Sequence, residues 1–144
     1  MQTWQENEEK KEYLKGYIKA LKMECLLNDR LQQIRESKLF PSLQIDGMPH
    51  SRINSDLSVY AEKVSDLIEK IGRQKLECHR KYEKISEAIS NMKDDTEKEV
   101  LMRRYILCEK WESIAVAMNY TYHHVIKIHG NALQHFKIPK HDTQ

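Results

Sequence analysis

Residues 122–135 hold four histidines, His123, His124, His129 and His135, with Lys127 as the only Lys, Arg, Asp or Glu among them. So many imidazoles raise the question of a metal, but no two are four residues apart, the spacing that would stack a ligand pair on one helical face. No metal site is expected. Cys25, Cys78 and Cys108 are odd in number, far apart and free of any CxxC spacing, so they read as free thiols and not as a zinc site or a disulfide framework. The glycines Gly16, Gly47, Gly72 and Gly130 are dispersed, which excludes a phosphate-cradling loop, and no nucleophile stands beside a base. No catalytic residue, no cofactor and no enzymatic activity are expected. What remains is charge. Residues 1–95 hold 17 Lys and Arg against 17 Asp and Glu, whereas residues 96–140 hold 7 against 4, so the positive excess sits in the C-terminal part and suits a surface that faces phosphate.

The elements that would position these residues are helical. Only 4 Gly and 3 Pro against 32% charged residues, with 8% aromatics, is the composition of exposed helices, and the fold class expected is all-α. No stretch approaches the ~20 apolar residues of a membrane span, and MQTWQENEEKKEY is not an apolar leader, so a cytoplasmic protein without membrane contact is expected.

From Glu8 to Lys38 an apolar stripe runs through Leu14, Ile18, Leu21 and Cys25, then resumes one step early as Leu27, Leu31 and Ile34. Pro41, Asp46-Gly47, Pro49 and Asn54 mark residues 40–54 as a loop. A second helix is predicted over 55–92, capped by Ser55, with a stripe of Leu57, Tyr60, Val64, Leu67, Ile71, Lys75, Cys78, Tyr82, Ile85, Ile89 and Met92. Helices roughly 45 and 55 Å long exceed a compact domain of this size, so residues 1–92 read as an antiparallel, coiled-coil-like two-helix arm. Its flank residues, such as Leu26 and Ile68, would be poorly covered by one partner helix, which favours a homo-oligomer, a dimer through the arm.

Residues 94–138 read as a separate three-helix unit, with 139–144 as a tail. Thr96-Glu97-Lys98-Glu99 has the form of a capping box that opens a helix reaching about Leu107, with Arg103 and Arg104 on or beside its exposed edge. Ile114, Ala115, Met118, Val125, Ile128, Ala132, Leu133 and Phe136 form the apolar face of two further helices. They are broken at Met118–Thr121, where Asn119 suits a left-handed turn and Thr121 a cap. The small Ala115 allows close approach, the logic of a helix-turn-helix. In this frame His129 and Gly130 serve as a close packing contact of the last helix, His135 as an exposed surface group, and Trp111 as a cap on the core.

The run Ile114-Ala115-x-x-Met118-Asn119-Tyr120-Thr121-x-x-x-Val125-x-x-Ile128-x-x-x-Ala132-Leu133-x-x-Phe136 resembles the promoter-reading C-terminal region of sigma factors, ungapped over about 23 positions. Preceded by Arg103-Arg104-Tyr105 and Trp111-Glu112-Ser113, it looks closest to small sigma-like proteins of Gram-positive prophages, including the ArpU-type regulators of phage late genes. The resemblance implies that the helix from Thr121 to Lys137 enters the major groove of double-stranded DNA. Tyr122, His123, Ile126 and Lys127 would then occupy the reading positions, Lys127 at a groove or phosphate contact and Ile126 at a thymine methyl, with His124, Arg103 and Arg104 completing the DNA-binding set. Sigma factors are richer in Arg and Glu at these positions, so no DNA sequence preference carries over.

The expected function is therefore sequence-specific DNA binding that regulates transcription, beside a host factor and in contact with RNA polymerase. The alternative is a DNA-recognition subunit of phage packaging, since small terminase subunits also join a helix-turn-helix to oligomerising helices; a protein-binding scaffold is a third reading.

Overall fold

The computed structural model describes residues 3–36 and 50–140. The chain is all-α: α1 (Trp4–Leu14), α2 (Gly16–Glu36), α3 (His50–Ser90), α4 (Asp95–Tyr105), α5 (Trp111–Met118) and α6 (Tyr122–His135), with no strand among the described residues. No helix among them is long and apolar enough to cross a membrane.

Several boundaries differ from those expected. The first helix begins at Trp4, not Glu8, and is interrupted at Lys15, which caps α1 with φ −71° and ψ −8°. The poor helix former Gly16 follows immediately, and a Cβ there would meet Lys81 Cδ at 3.5 Å, so α2 starts close against α3. Ser55 is not an N-cap: α3 begins at His50, directly after Pro49 in sequence, and ends at Ser90. Of the expected loop 40–54, residues 50–54 belong to α3, and 40–49 lie outside the described residues. Thr96 does not cap α4. Asp94 does, its carboxylate accepting the Glu97 N–H at 3.0 Å, which places Thr96 inside the helix, and α4 stops at Tyr105.

The seams are also more regular than the apolar letters suggest. On α2 Ile18 and Leu21 are covered as expected, and with them Ala20, Glu24, Leu27, Leu31 and Ile34 in alternating steps of 4 and 3, while Cys25 is exposed. On α3 they include Tyr60, Val64, Leu67, Ile71, Gln74, Cys78, Lys81 and Ile85, with Glu77 beside Cys78, so Gln74 and Lys81 take the places expected of Lys75 and Tyr82. Both follow a heptad, in which the long stems of polar residues cover the seam where no apolar residue falls.

The chain forms two compact units, residues 21–77 and residues 1–20 with 78–144, so the division between them falls within α2 and α3. In the first unit Leu31, Ile34 and Ile71 are buried, while Met23, Leu26, Leu57, Val59, Ile68 and Leu76 are exposed. The second unit has two clusters. In one, Leu14, Ile85 and Ile89 pack with Leu101, Tyr105, Leu133 and Phe136; in the other, Val100, Ile114, Ala115, Val125 and Ile128 pack together, flanked by Trp111 and Met118. The C-terminal helices thus share their larger core with α1 and the end of α3.

Candidate functional site

The turn between α5 and α6 is built by its own hydrogen bonds. Asn119 adopts φ 57° and ψ 39°, the left-handed region that asparagine tolerates better than most residues. Its N–H donates to the Val116 carbonyl at 3.3 Å and that of Tyr120 to Ala115 at 3.0 Å, the paired bonds of a Schellman ending that satisfy the last carbonyls of α5. Thr121 then returns to extended backbone, and its Oγ1 accepts the His124 N–H at 3.2 Å, capping α6. The Tyr120 and His124 rings meet edge to face at 4.7 Å and brace the turn.

One side of α6 is fixed by burial. Val125, Ile128, His129, Ala132 and Leu133 face inward, followed by Phe136, which leaves Tyr122, His123, Ile126, Lys127 and Gly130 outward. Tyr122 and Ile126 are 43% and 36% exposed, large values for side chains of this size, and Val116 at the end of α5 is 79% exposed. Lys127 has no partner among the described residues. The first two turns of α6 therefore present two aromatic rings, a branched alkyl group and one ammonium on a continuous helical face.

Arg103 and Arg104 are placed differently from the expectation of an exposed edge. The Arg103 guanidinium binds Glu99 at 2.9 Å and Glu109 at 3.2 Å, and these bonds, Glu99 first, hold its pKa above the ordinary value. Arg104 donates to the Glu109 carbonyl at 3.0 Å and lies 4.5 Å from the centre of the Trp111 ring. Both are half-buried and together hold the α4–α5 connection, in which Cys108 takes a left-handed φ of 59°. Their charges are engaged before any ligand arrives.

Beneath them lies a buried polar pair. The Tyr105 hydroxyl sits 2.8 Å from His129 Nε2, and the Trp111 ring packs edge-on against the imidazole at 4.6 Å. Burial, reinforced by Lys11 and Arg104, pushes the His129 pKa down to about 4, and burial pushes the Tyr105 hydroxyl up to about 12. Both groups are neutral at pH 7, and the pair ties α6 to α4. Gly130, expected to give close packing beside His129, instead faces open space. His135 is exposed as expected, but its Nδ1 also lies 2.9 and 3.0 Å from the carboxylate oxygens of buried Glu97. A third anchor comes from the N-terminus, where the Lys10 ammonium donates to the Leu133 carbonyl at 2.8 Å; desolvation holds its pKa below the usual lysine value. Sequence patterns did not disclose these pairings, whose partners are 24, 38 and 123 residues apart.

The chain matches no protein-family model, no curated protein and no solved structure.

Proposed function

We propose that this chain is a sequence-specific DNA-binding protein that regulates transcription, in which α5, the Asn119–Thr121 turn and α6 act as a sigma-like helix-turn-helix carried beside a helical arm. The observation that carries this reading is the combination of a Schellman ending on Asn119, a threonine cap on α6, and an outward α6 face of Tyr122, His123, Ile126 and Lys127. That combination holds a helix rigidly by one side while its other side and first turns stay open, which is what major-groove entry requires. Lys127 supplies the charge, and the rings and Ile126 supply contacts to base edges or sugar. Arg103 and Arg104 act indirectly here, by holding the connection that sets α5. RNA polymerase is a proposed partner at the promoter.

Selection from a randomised duplex pool with the full chain, followed by anisotropy titration at several salt concentrations, tests this. Lys127→Ala should weaken binding and reduce the slope of log K against log salt by about 1, one phosphate contact fewer. A pool that yields no bound sequence at any ionic strength would refute it.

Self-association through residues 21–77 is the companion proposal, supported by a unit in which, among the described residues, six large apolar side chains are exposed and only Leu31, Ile34 and Ile71 are buried apolar ones. Sedimentation across a concentration series checks it: a dimer that Ile68→Glu with Leu76→Glu dissociates is expected, and a concentration-independent monomer sinks it. The same series addresses the packaging alternative, for which a closed ring of many copies would be the signature.

A further inference from the structure

At the C-terminal end of α6 the second unit holds a cavity of about 730 Å³, walled by the end of α3, the first turn of α4 and residues 137–140. That volume falls in the range of small-molecule sites. Met92, Ile138 and Pro139 give it an apolar lining, and its polar groups are unequally engaged. Both carboxylates on its wall have hydrogen-bond partners: Asp94 accepts the Glu97 N–H at the start of α4, and Glu97 lies against His135 Nδ1. Lys93 and Lys137 also line it, and neither has a hydrogen-bond or ion-pair partner among the described residues. Lys137 instead acts on Lys10, a like charge whose ammonium it disfavours. The two carboxylates are thus hydrogen-bonded within the fold, while Lys93 and Lys137 are not, and the lining, with Lys140, holds three ammonium groups against two carboxylates.

We propose that this cavity binds a small apolar anion, a ring or branched alkyl body carrying one acidic group, with the body against Met92, Ile138 and Pro139 and the charge between Lys93 and Lys137. Apolar contact supplies the area, and the negative charge is attracted by the ammonium groups at the wall. The site lies at the opposite end of α6 from Tyr122 and His123, so its occupancy is compatible with DNA on the proposed reading face and does not depend on that function. A ligand here joins α3, α4 and the segment after α6, and stabilises the native unit by mass action.

The test uses two fluorescent probes of one shape on the full chain: anilinonaphthalene sulfonate, which is anionic, and N-phenylnaphthylamine, which is neutral. The sulfonate should bind saturably at one per chain, and more tightly than the amine. In Lys93→Ala with Lys137→Ala its affinity should fall about tenfold while the amine is unaffected, since only the charge contact is removed. Asn91→Trp, which places a large side chain at the exposed lip, should exclude both. Unchanged thermal unfolding of each variant secures the comparison, and a thermal upshift with bound sulfonate is the independent readout. Unsaturable sulfonate binding, equal affinity in the double lysine variant, or a signal that survives Asn91→Trp would each overturn the proposal.

Discussion

Acidification probes the buried Tyr105–His129 pair most directly. The His129 pKa is lowered in the fold from 6.5 to about 4, with burial the first cause and the positive charges of Lys11 and Arg104 adding to it. The unfolded chain therefore takes up a proton between pH 6.5 and 4 that the folded chain refuses, and stability must fall as pH falls through that window. Above pH 6.5 the ring is neutral in both states and contributes no pH dependence. At 1.36 kcal/mol per unit, the full loss below pH 4 is about 3 kcal/mol, and linkage places about 2 kcal/mol of it between pH 7.5 and pH 5. His129 is 8% exposed, so solvent screening takes little from that figure. Urea unfolding at pH 7.5, 6 and 5, followed by the fluorescence to which Trp111 contributes, should show the decline in the natural chain. His129→Gln, which keeps an acceptor for the Tyr105 hydroxyl, should show most of it removed. Restricting the comparison to pH 5 and above keeps ordinary carboxylates out of the signal. An unaltered slope in the variant, or an imidazole resonance for His129 that titrates near pH 6.5, would refute the reasoning.

Leu14→Ala should cost about 2–5 kcal/mol in urea unfolding, because Leu14 is fully buried in the cluster that holds Leu133 and Phe136; an unchanged midpoint would contradict a shared core. Cys108→Gly should stabilise the chain by about 0.5–1 kcal/mol, since glycine adopts the left-handed φ of 59° without a Cβ penalty, and thermal unfolding reads the gain. Gly130→Ala should add about 1 kcal/mol by removing a poor helix former at an exposed position with nothing within 4 Å; destabilisation would mean that the glycine is needed for close packing after all.

The all-α class was legible because helical periodicity and the scarcity of glycine and proline act locally, within a few turns. The Asn119 turn and the Thr121 cap were legible for the same reason: each rests on a residue's own conformational tolerance or side chain and on bonds closed within five residues. The capping box at Thr96 failed because the motif has a competitor two residues earlier. Asp94 reaches the Glu97 amide first, and once it does, Thr96 is already helical. Cys25 misled through its apolar letter, since a heptad seam is set by position and the aliphatic stem of Glu24 fills the place that Cys25 appeared to take.

The site was less legible than the fold, and Arg103 and Arg104 show why. Two adjacent arginines before a helix-turn-helix pattern read as phosphate ligands if each helix is considered alone. Glu109 changes that reading, because its carboxylate and its carbonyl each take one guanidinium as the chain folds back after α4. What a charge is available for depends on the opposing groups that tertiary structure brings to it, and those distances are not written in the spacing. Lys127 passes the same test differently: it stands on a face whose neighbours at 122, 123, 126 and 130 contain no carboxylate, so no local partner is at hand to engage it. The proposed interface therefore rests on one free ammonium and a largely uncharged face. Binding through it should depend on salt with a small slope and draw its selectivity from ring and methyl contacts rather than from arginine forks.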